Sequence, residues 1–356
     1  MSKVLILHAY SAKNRGDGLL VEEALELIRE SLGQDAAITM CASHPKSFDH
    51  LTGLKVVDSG FRRRGYDSDY LRTLRDIMNF DLVVGVGGGY LRAGYPLELI
   101  KTALIHGPQL VAAAFRGKSV VYLPQSIGPL RYGTRAIANK ALHRLETVML
   151  RDDKSLAELH GVGIVRVPDV AALTVTGPDW QKTPNPTPVL SVREVRGKLP
   201  APVIELAELV KFFDGYVQSS TSGNDDQGAM NDLNPVRILT SSEFADANQS
   251  PRVVIAMRLH GALMALRAGH FVIHLAYERK GFGAFADLGL ADFVHNSRSF
   301  DSVAVLQQAQ ALLNDPDARR SYSELIRGTT ADRYGSRRGI IDALKNTTDV
   351  SSNRKR

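Results

Sequence analysis

Short runs of apolar, mostly β-branched residues alternate through the first half of the chain with segments whose apolar residues recur at helical spacing. Residues 4–9 are typical of a buried strand, and the apolar spacing over residues 18–31 predicts the helix that follows it. The alternation continues to residue 167, with one long helix expected over residues 97–116. This pattern predicts a parallel sheet covered by helices on both faces.

A segment rich in proline and glycine interrupts the pattern at residues 176–188, and a second strand–helix series begins after it. We therefore predict two Rossmann-like α/β domains, over residues 1–175 and 189–346, joined by a linker at 176–188. Residues 219–234 are rich in Ser, Gly, Asn and Asp and are predicted to form a flexible loop. A basic tail at residues 347–356 is predicted to be disordered.

The composition is that of a folded globular protein, since 44% of the 356 residues are hydrophobic and 23% are charged. Cys41 is the one cysteine, which excludes an intramolecular disulfide and a cysteine-based zinc site. No apolar run approaches the roughly 18 residues of a membrane helix, and residues 4–7 are too short a run for a signal peptide. We expect a cytoplasmic protein, with the inner face of the membrane as a further location that the positive charge allows.

The formal net charge is +6, and part of it lies in two basic runs, residues 62–64 and 354–356. Three interpretations remain open: a solvated surface, an anionic substrate, or an anionic membrane surface. A nucleic-acid partner is not expected, because the basic residues are not interleaved with aromatic ones and no nucleic-acid motif is present.

The turn between the first strand and the first helix has the sequence NRGDG, from Asn14 to Gly18. Backbone N–H groups at the start of a helix favour a bound anion, and Asn14 or Asp17 could hydrogen-bond a substrate hydroxyl. The alternative is structural, with Asp17 serving only as the helix N-cap.

A second glycine segment, Gly87-Gly88-Gly89, follows a strand and is predicted to lead into a helix. Glycines let the backbone approach a ligand closely. The segment matches neither the dinucleotide fingerprint nor the P-loop. A sharp turn without a ligand is the alternative interpretation.

Two further polar segments stand at the ends of strands. The segment PQSIGP places Gln125 and Ser126 at the carboxyl end of a strand, where ligands of parallel sheets bind. Arg151 ends another buried strand, and its guanidinium suits bidentate binding of a carboxylate or phosphate. The alternative is that Arg151 pairs with Asp152 or Asp169 inside its own domain.

The most informative segment is MRLHG, in which Arg258 and His260 follow an apolar strand and open a helix, with Lys280 further along the chain. Two cationic side chains at such a place predict an anion site. An imidazole can also donate or accept a proton near neutral pH. A lone histidine is more often structural, but its neighbour Arg258 favours a functional role for His260.

Taken together, these segments resemble the polysaccharide pyruvyl transferase family over residues 4–290. The motifs that carry the resemblance are, in chain order, NRGD from Asn14, GGG from Gly87, PQSIGP from Pro124, RD from Arg151 and MRLHG from Met257. The last motif is the most specific. The chain departs from the family pattern between residues 217 and 237, which are polar and irregular where the family has a clearer strand, helix and strand.

The resemblance implies a glycosyltransferase-B-like fold, in which two Rossmann-like domains face each other across a cleft. It implies phosphoenolpyruvate as the donor and a pyruvate ketal on a sugar of a cell-surface polysaccharide, or of its lipid-linked precursor, as the product. By motif position, Arg258 and His260 would contact phosphoenolpyruvate from the second domain and Arg151 from the first. No cofactor and no metal site are expected.

The chemistry of the residues is compatible with this reaction. A protonated His260 is the candidate general acid or stabiliser of the phosphate charge, and Asp17 is the candidate base for the sugar hydroxyl. Two rival functions remain: a sugar-nucleotide glycosyltransferase of the same architecture, and a non-catalytic anion-binding protein.

Overall fold

The computed structural model describes residues 1–159, 161, 163–221 and 224–353, which form two compact α/β units. Unit 1 comprises Met1–Ala12, Asp17–Val170 and the chain from Gly335 to the last described residue. Unit 2 comprises Lys13–Gly16 and Ala171–Tyr334. The prediction of two Rossmann-like domains is confirmed by the parallel sheet of each unit.

Unit 1 has eight strands. They are β1 (Lys3–Ala9), β2 (Ala37–Ala42), β3 (Leu54–Asp58), β4 (Leu82–Gly85), β5 (Gly88–Ala93), β6 (Val120–Leu130), β7 (Thr147–Leu150) and β8 (Ile164–Arg166). The helices between them are α1 (Arg15–Leu32), α2 (Ser68–Arg75), α3 (Pro96–Ile105), α4 (Gly107–Arg116), α5 (Thr134–Leu142) and α6 (Asp153–Glu158). Polar side chains set several of the helix starts: Asp67 caps α2, and Asp152 caps α6 by accepting from the backbone of Ser155.

The sheet of unit 1 has the strand order β3-β2-β1-β4-β6-β7-β8, with β5 paired to β6. All of these pairings are parallel. The chain direction across the sheet reverses between β1 and β4. Ligands of open α/β sheets bind beyond the carboxyl ends of the strands at such a reversal.

Unit 2 has a six-stranded sheet and a short hairpin. Its strands are β9 (Val189–Ser191), β10 (Asp214–Tyr216), β11 (Ser220–Thr221), β12 (Asn224–Asp225), β13 (Ile238–Leu239), β14 (Val253–Ala256), β15 (Phe271–Ala276) and β16 (Val294–Asn296). Its helices are α7 (Ala201–Val210), α8 (Gln227–Asn231), α9 (Ser241–Ala245), α10 (Leu259–Arg267), α11 (Arg279–Asp287), α12 (Ser302–Asn314) and α13 (Pro316–Gly328). The last helix, α14 (Thr330–Asn353), begins in unit 2 and continues into unit 1.

The main sheet of unit 2 has the order β13-β10-β9-β14-β15-β16 and is parallel throughout. Its reversal lies between β9 and β14. The strands β9, β14 and β15 are buried along their whole length, which explains why they appear in the sequence as continuous apolar runs rather than alternating ones.

The domain boundaries differ from the predicted ones. The units divide at residue 170 instead of 175, and residues 176–188 belong to unit 2 instead of forming a linker. The reason is hydrogen bonding to α13: the carbonyl of Pro178 accepts from Ser323 Oγ at 2.9 Å, and that of Trp180 accepts from Arg319 Nε at 3.3 Å. The second domain ends at Tyr334 instead of 346.

The predicted disorder of residues 347–356 is wrong for residues 347–353, which continue α14. The helix persists because Ile340 and Leu344 are buried in the preceding turns, and because the hydroxyls of Thr347 and Thr348 donate to backbone carbonyls one turn earlier. Residues 354–356 lie outside the described residues.

The helix expected over residues 97–116 is divided at His106 into α3 and α4. Pro108 explains the division, because a proline has no N–H to donate and its ring collides with the carbonyl four residues earlier. The predicted loop at 219–234 contains β11, β12 and α8, and its residues 222 and 223 lie outside the described part.

Candidate functional site

The MRLHG segment stands at the reversal of the unit 2 sheet. Arg258 follows β14 in an extended conformation and is the N-cap of α10, so the free N–H groups of that helix lie beside it. His260 belongs to the first turn of α10 and is half-buried. A guanidinium, an imidazole and a helix N-terminus therefore share one place at the carboxyl edge of the sheet, and each of the three favours an anion.

Arg258 is held by a buried carboxylate, Asp226. The guanidinium donates from Nε to Oδ2 at 2.5 Å and from Nη2 to Oδ1 at 2.7 Å, which is a bidentate pair. Burial raises the pKa of the Asp226 carboxyl, and the hydrogen bonds and charge of Arg258 act against that shift. The orientation of Arg258 is thus fixed before any ligand arrives. Sequence reasoning missed Asp226, since it lies in the segment that was predicted to be a flexible loop.

The N-terminal NRGD motif also contributes to unit 2. Asn14 pairs with Ser219 in an antiparallel bridge, and its Oδ1 accepts from the N–H of Gly16 at 3.2 Å. Asn14 is therefore the N-cap of α1. The alternative interpretation of Asp17 as the N-cap does not hold, since Asp17 lies in the first turn of the helix. A Cβ at Gly16 would lie 2.6 Å from Nδ1 of His260. The structure thus brings Asn14 and His260 together around a glycine that leaves room for the imidazole.

Gln218 is a further residue of this cluster that the sequence did not indicate. Its side chain is buried, and its Oε1 has no hydrogen-bond partner within the described residues. A Cβ at Gly261 would lie 2.3 Å from that oxygen, so the glycine in the first turn of α10 lets the amide approach the helix. A buried polar group without a partner is costly in a folded protein, which makes Gln218 a candidate ligand contact.

Arg193 supplies another cation near the same reversal, two residues beyond the end of β9. Its Nη1 donates to the hydroxyl of Tyr277 at 3.0 Å, and the guanidinium lies 4.8 Å from the centre of that ring. Its charge acts on Asp226. Lys280, which the sequence favoured, instead forms an ion pair with Glu278 at 2.8 Å.

The candidate residues of unit 1 form a second cluster, around Arg151. Gly88 pairs with Gln125 across β5 and β6, and the carbonyl of Gln125 accepts from the N–H of Arg151 at 3.1 Å. Ser126 Oγ accepts from Arg151 Nε at 3.0 Å. Gly89 also lies beside this side chain, since a Cβ there would be 3.9 Å from Arg151 Nη2. The glycine segment is an extended strand here, and the predicted turn into a helix is wrong, because Gly88 begins β5.

Arg151 forms a buried ion pair with Asp169, which is one of the two structural pairings that the sequence left open. Asp152, the other, caps α6. The amide of Gln125 is fully buried, and neither its Oε1 nor its Nε2 has a partner among the described residues. The amide of Gln125 can therefore form hydrogen bonds to a ligand or to water, which makes Gln125 a candidate ligand contact of this cluster.

A group of buried aromatic and histidine side chains lies at the end of β1 and was not predicted. The backbone N–H of His8 donates to Gln109 Oε1 at 2.7 Å, and Nε2 of its ring lies 2.7 Å from the hydroxyl of Tyr122. Its Nδ1 lies 3.3 Å from Nδ1 of His106. Burial, followed by the proximity of His106, holds the pKa of His8 well below its usual range. Burial, followed by Lys101, lowers the pKa of His106 to about 3. Both rings are thus neutral at neutral pH.

Among the described residues, no group of three histidine, cysteine or acidic side chains is placed to hold a metal ion. Within the described ranges, each helix is either too short or too polar to span a bilayer.

A family model described as polysaccharide pyruvyl transferase matches residues 14–279. The matched span contains the candidate residues from Asn14 to His260. No protein in the comparison with curated sequences matches this chain.

Three solved structures share this fold at low sequence identity. A putative UDP-N-acetylglucosamine 2-epimerase from Listeria monocytogenes is 12% identical, with a TM-score of 0.60 over 96% of this chain and 95% of that one. An alpha,alpha-trehalose 6-phosphate synthase from Burkholderia multivorans is 12% identical, with a TM-score of 0.53 over 99% and 100% of the two chains. WaaG, a glycosyltransferase involved in lipopolysaccharide biosynthesis, is 11% identical, with a TM-score of 0.51 over 96% and 99%. These likenesses confirm the glycosyltransferase-B-like fold.

Proposed function

Because the chain belongs to the polysaccharide pyruvyl transferase family, we propose that it transfers the enolpyruvyl group of phosphoenolpyruvate to a sugar and closes a pyruvate ketal on it. The proposed acceptor is a sugar of a cell-surface polysaccharide or of its lipid-linked precursor. The observation that carries the donor assignment is the placement of Arg258 and His260 at the N-terminus of α10, at the sheet reversal of unit 2. No cofactor is needed for this chemistry.

The charges of unit 2 support a small anion as the donor. Phosphoenolpyruvate carries a carboxylate and a phosphate, and both are groups that guanidinium ions and helix N-termini bind. Asp226 fixes the orientation of Arg258, so the guanidinium loses little conformational freedom when a ligand binds. Arg193 and the amide of Gln218 are further donors that the cluster offers. A nucleotide donor, by contrast, would call for an acidic residue to bind the ribose hydroxyls.

The cluster of unit 1 supports the binding of a polar substrate through Gln125, Ser126 and the backbone of Gly87–Gly89. Of these groups, we propose Gln125 as the main substrate contact, because its buried amide lacks partners among the described residues. The role of Arg151 is secondary in this proposal. Both arginines are paired with a buried aspartate, and we favour Arg258 for the donor because His260 and the N-terminus of α10 stand beside it. Lys280 is the least supported of the donor contacts, since it pairs with Glu278.

The proposed reaction moves three protons and breaks one C–O bond, the one that joins the donor carbon to phosphate. His260 protonates the methylene carbon of the enol, which becomes the methyl group and leaves an electrophilic carbon beside the carboxylate. A sugar hydroxyl attacks that carbon and loses its proton, for which Asp17 is the candidate base. The bond to the phosphate oxygen breaks, and phosphate leaves with the electron pair. The second sugar hydroxyl then forms the second C–O bond of the ketal and releases its own proton.

Donor use and phosphate release test this proposal directly. The protein is incubated with phosphoenolpyruvate and a panel of glycans, and inorganic phosphate and the mass of the glycans are followed. We expect phosphate release that depends on the glycan, together with a pyruvylated product. Sugar transfer from a UDP-sugar would identify the rival glycosyltransferase, and donor binding without product on any glycan would favour the non-catalytic alternative.

Two variants and one control connect the activity to the cluster in unit 2. His260→Gln keeps a hydrogen-bonding side chain but no acid, so we expect at least about a hundredfold loss of turnover. Arg258→Lys loses the planar fork and should bind the donor about ten- to a hundredfold more weakly. His50→Gln changes an exposed histidine of unit 1 and should leave both quantities unchanged. Full activity in folded His260→Gln would remove His260 from the mechanism.

A further inference from the structure

Several apolar side chains of the helix α3 are exposed to solvent. It contains no buried residue, although its sequence PLELIKTALI is mostly apolar. Leu97 is 72% exposed and Ile100 is 54% exposed, and Leu104 is also exposed. These three positions are spaced three and four residues apart, so they lie on one face of the helix.

The next two helices continue the same surface. Val111 and Phe115 are exposed on α4, one turn apart, and Phe115 is 72% exposed. Ile137 is exposed on α5. The helix α4 packs against both α3 and α5, so the apolar side chains belong to neighbouring elements of unit 1. We refer to the exposed apolar residues of α3, α4 and α5 as the apolar surface.

In an ordinary surface helix the apolar face packs against the protein core, whereas the apolar face of α3 is exposed to solvent. Scattered apolar side chains on a protein surface need no explanation. Six exposed apolar residues on three helices that pack side by side are more than scattered single residues, and a surface of that kind marks a place where another molecule binds.

The charge of the same segment identifies the kind of molecule. Residues 92–144 contain eight lysines and arginines and one acidic residue, Glu98. Their formal charge of +7 exceeds the +6 of the whole chain. Arg131, Lys140 and Arg144 are exposed, and within the described ranges none of the three has an ion-pair partner. Exposed apolar residues bordered by unpaired cations are the combination that binds anionic membrane surfaces.

We propose that the apolar surface and the basic residues around it dock unit 1 onto an anionic lipid membrane. The apolar side chains of α3 and α4 enter the interface between headgroups and acyl chains, while Lys140 and Arg144 approach the anionic headgroups. This docking depends on unit 1 alone and does not require the proposed reaction. A second copy of the chain would need opposite charges to cover the surface, whereas the segment is almost wholly basic.

Vesicle binding by the full chain tests the proposal. Sedimentation with phosphatidylcholine vesicles is compared with and without phosphatidylglycerol. We expect binding only when phosphatidylglycerol is present, and weaker binding at higher salt. Leu97→Ser/Phe115→Ser should weaken it at least about tenfold, because both changes remove apolar groups that enter the bilayer. Lys140→Ser/Arg144→Ser should weaken it by about fivefold for each charge removed.

Matched variants elsewhere separate this surface from general effects of charge and hydropathy. Phe212→Ser/Val236→Ser changes two equally exposed apolar residues of unit 2, and Arg63→Ser/Arg64→Ser removes two exposed charges elsewhere in unit 1. The first control should bind vesicles more tightly than Leu97→Ser/Phe115→Ser does, and the second more tightly than Lys140→Ser/Arg144→Ser does. Absence of binding by the unmodified chain overturns the proposal, as does equal binding by Leu97→Ser/Phe115→Ser. A dimer in light scattering that Leu97→Ser/Phe115→Ser converts to monomer would assign the surface to a second copy instead.

Discussion

At the scale of single residues, the two arginines that the sequence indicated share one feature: each is buried against an aspartate. Arg258 pairs with Asp226, 32 positions away, and Arg151 pairs with Asp169, 18 positions away. Burying a charge is strongly unfavourable unless it is paired, so each aspartate is needed to keep its arginine in place. The sequence shows the arginines because they end apolar strands, and it offered Asp169 as one possible partner of Arg151. It did not indicate Asp226, which lies far from Arg258 in the chain.

Gly16 is predicted to position His260. In Gly16→Ala, the new Cβ would meet the imidazole at 2.6 to 2.9 Å, so the ring must move while the fold remains. We expect turnover to fall at least about tenfold, because a displacement of about 1 Å in a catalytic group can cost a hundredfold in rate. Steady-state kinetics and thermal unfolding measure the two effects separately.

Gly328→Ala is the matched control for this change. A Cβ at Gly328, a helical position of unit 2, would meet nothing within 4 Å. We expect unchanged turnover in this variant. If Gly16→Ala retained full activity, or if a shift in melting temperature accounted for its loss, Gly16 would have no positioning role.

Arg151 is predicted to contribute more to stability than to donor binding. In Arg151→Ala, Asp169 would be left as a buried carboxylate without its cation, which should lower the free energy of unfolding by about 3–5 kcal/mol. Arg131→Ala removes an exposed arginine of the same unit and should change the free energy of unfolding by less than about 0.5 kcal/mol.

Phosphoenolpyruvate distinguishes the two roles of Arg151. A ligand that binds only the folded state raises the melting temperature. We expect the donor to raise it in Arg151→Ala by about as much as in the unmodified chain. Loss of that increase, in a variant that remains folded, would show that Arg151 contacts the donor.

At the scale of the elements, α14 contains two arginines with different surroundings. Arg333 is buried, and its guanidinium donates to the carbonyls of Ala172 at 3.0 Å, Val175 at 2.5 Å and Ile326 at 3.0 Å. Burial lowers its pKa. Arg337, one turn later, pairs with Glu26 and Glu30 of α1, which are themselves exposed. The first arginine satisfies buried carbonyls of unit 2, and the second forms ion pairs in unit 1.

Because the two arginines have different surroundings, we expect alanine at each position to lower the free energy of unfolding by a different amount. Arg333→Ala should lower the free energy of unfolding by at least about 2 kcal/mol, because it leaves buried carbonyl groups without a donor. Arg337→Ala should lower it by about 0–1 kcal/mol, because both glutamates that it pairs with are exposed, so water screens the ion pairs. Urea unfolding of both variants decides the matter, and equal effects would contradict this interpretation.

Burial explains which secondary-structure elements could be predicted from the sequence. The strands β1, β4, β9 and β14 were predictable because they are buried, apart from Lys3 of β1, and therefore consist of apolar runs. The strand-end motifs then located the two candidate clusters, since the carboxyl edge of a parallel sheet follows from the strand direction.

The parts that could not be predicted depend on contacts between distant residues. The hairpin and helix within residues 219–234 are anchored by the Asp226–Arg258 pair, and the composition of the segment gives no sign of it. The return of α14 to unit 1 involves the burial of Ile340 and Leu344 and the pairing of Arg337 with Glu26 and Glu30, which lie far away in the chain. The break at His106, by contrast, was predictable from Pro108.

At the scale of the whole molecule, the buried histidines are spread over both units and share one property. Burial, followed by Lys101, lowers the pKa of His106 to about 3. Burial is also the largest cause at His270 and His274, whose pKa values fall to about 4. His8 shifts in the same direction. In the unfolded chain a histidine titrates near pH 6.5, so the folded protein excludes protons that the unfolded chain accepts.

This difference sets the sign of the pH dependence. Below about pH 6.5 the unfolded chain gains protons at these histidines while the folded protein does not, so the free energy of unfolding must fall as the pH falls. The contribution is fully present above that pH and is lost progressively down to the folded pKa values of about 3 to 4. The slope should be about 1.4 kcal/mol per pH unit for each buried histidine.

We therefore predict a steep loss of stability between about pH 6 and about pH 5, a range in which aspartates and glutamates with ordinary pKa values titrate little. His106→Gln should make the slope shallower by about 1.4 kcal/mol per pH unit, the contribution of one buried histidine, because glutamine takes up no proton in either state. His50→Gln, which changes an exposed histidine, is the control variant. Urea unfolding across this range gives each slope, and if the units unfold in separate transitions, His106→Gln should alter only that of unit 1. A slope that stays flat in the unmodified chain would mean that the buried histidines are protonated in the folded protein.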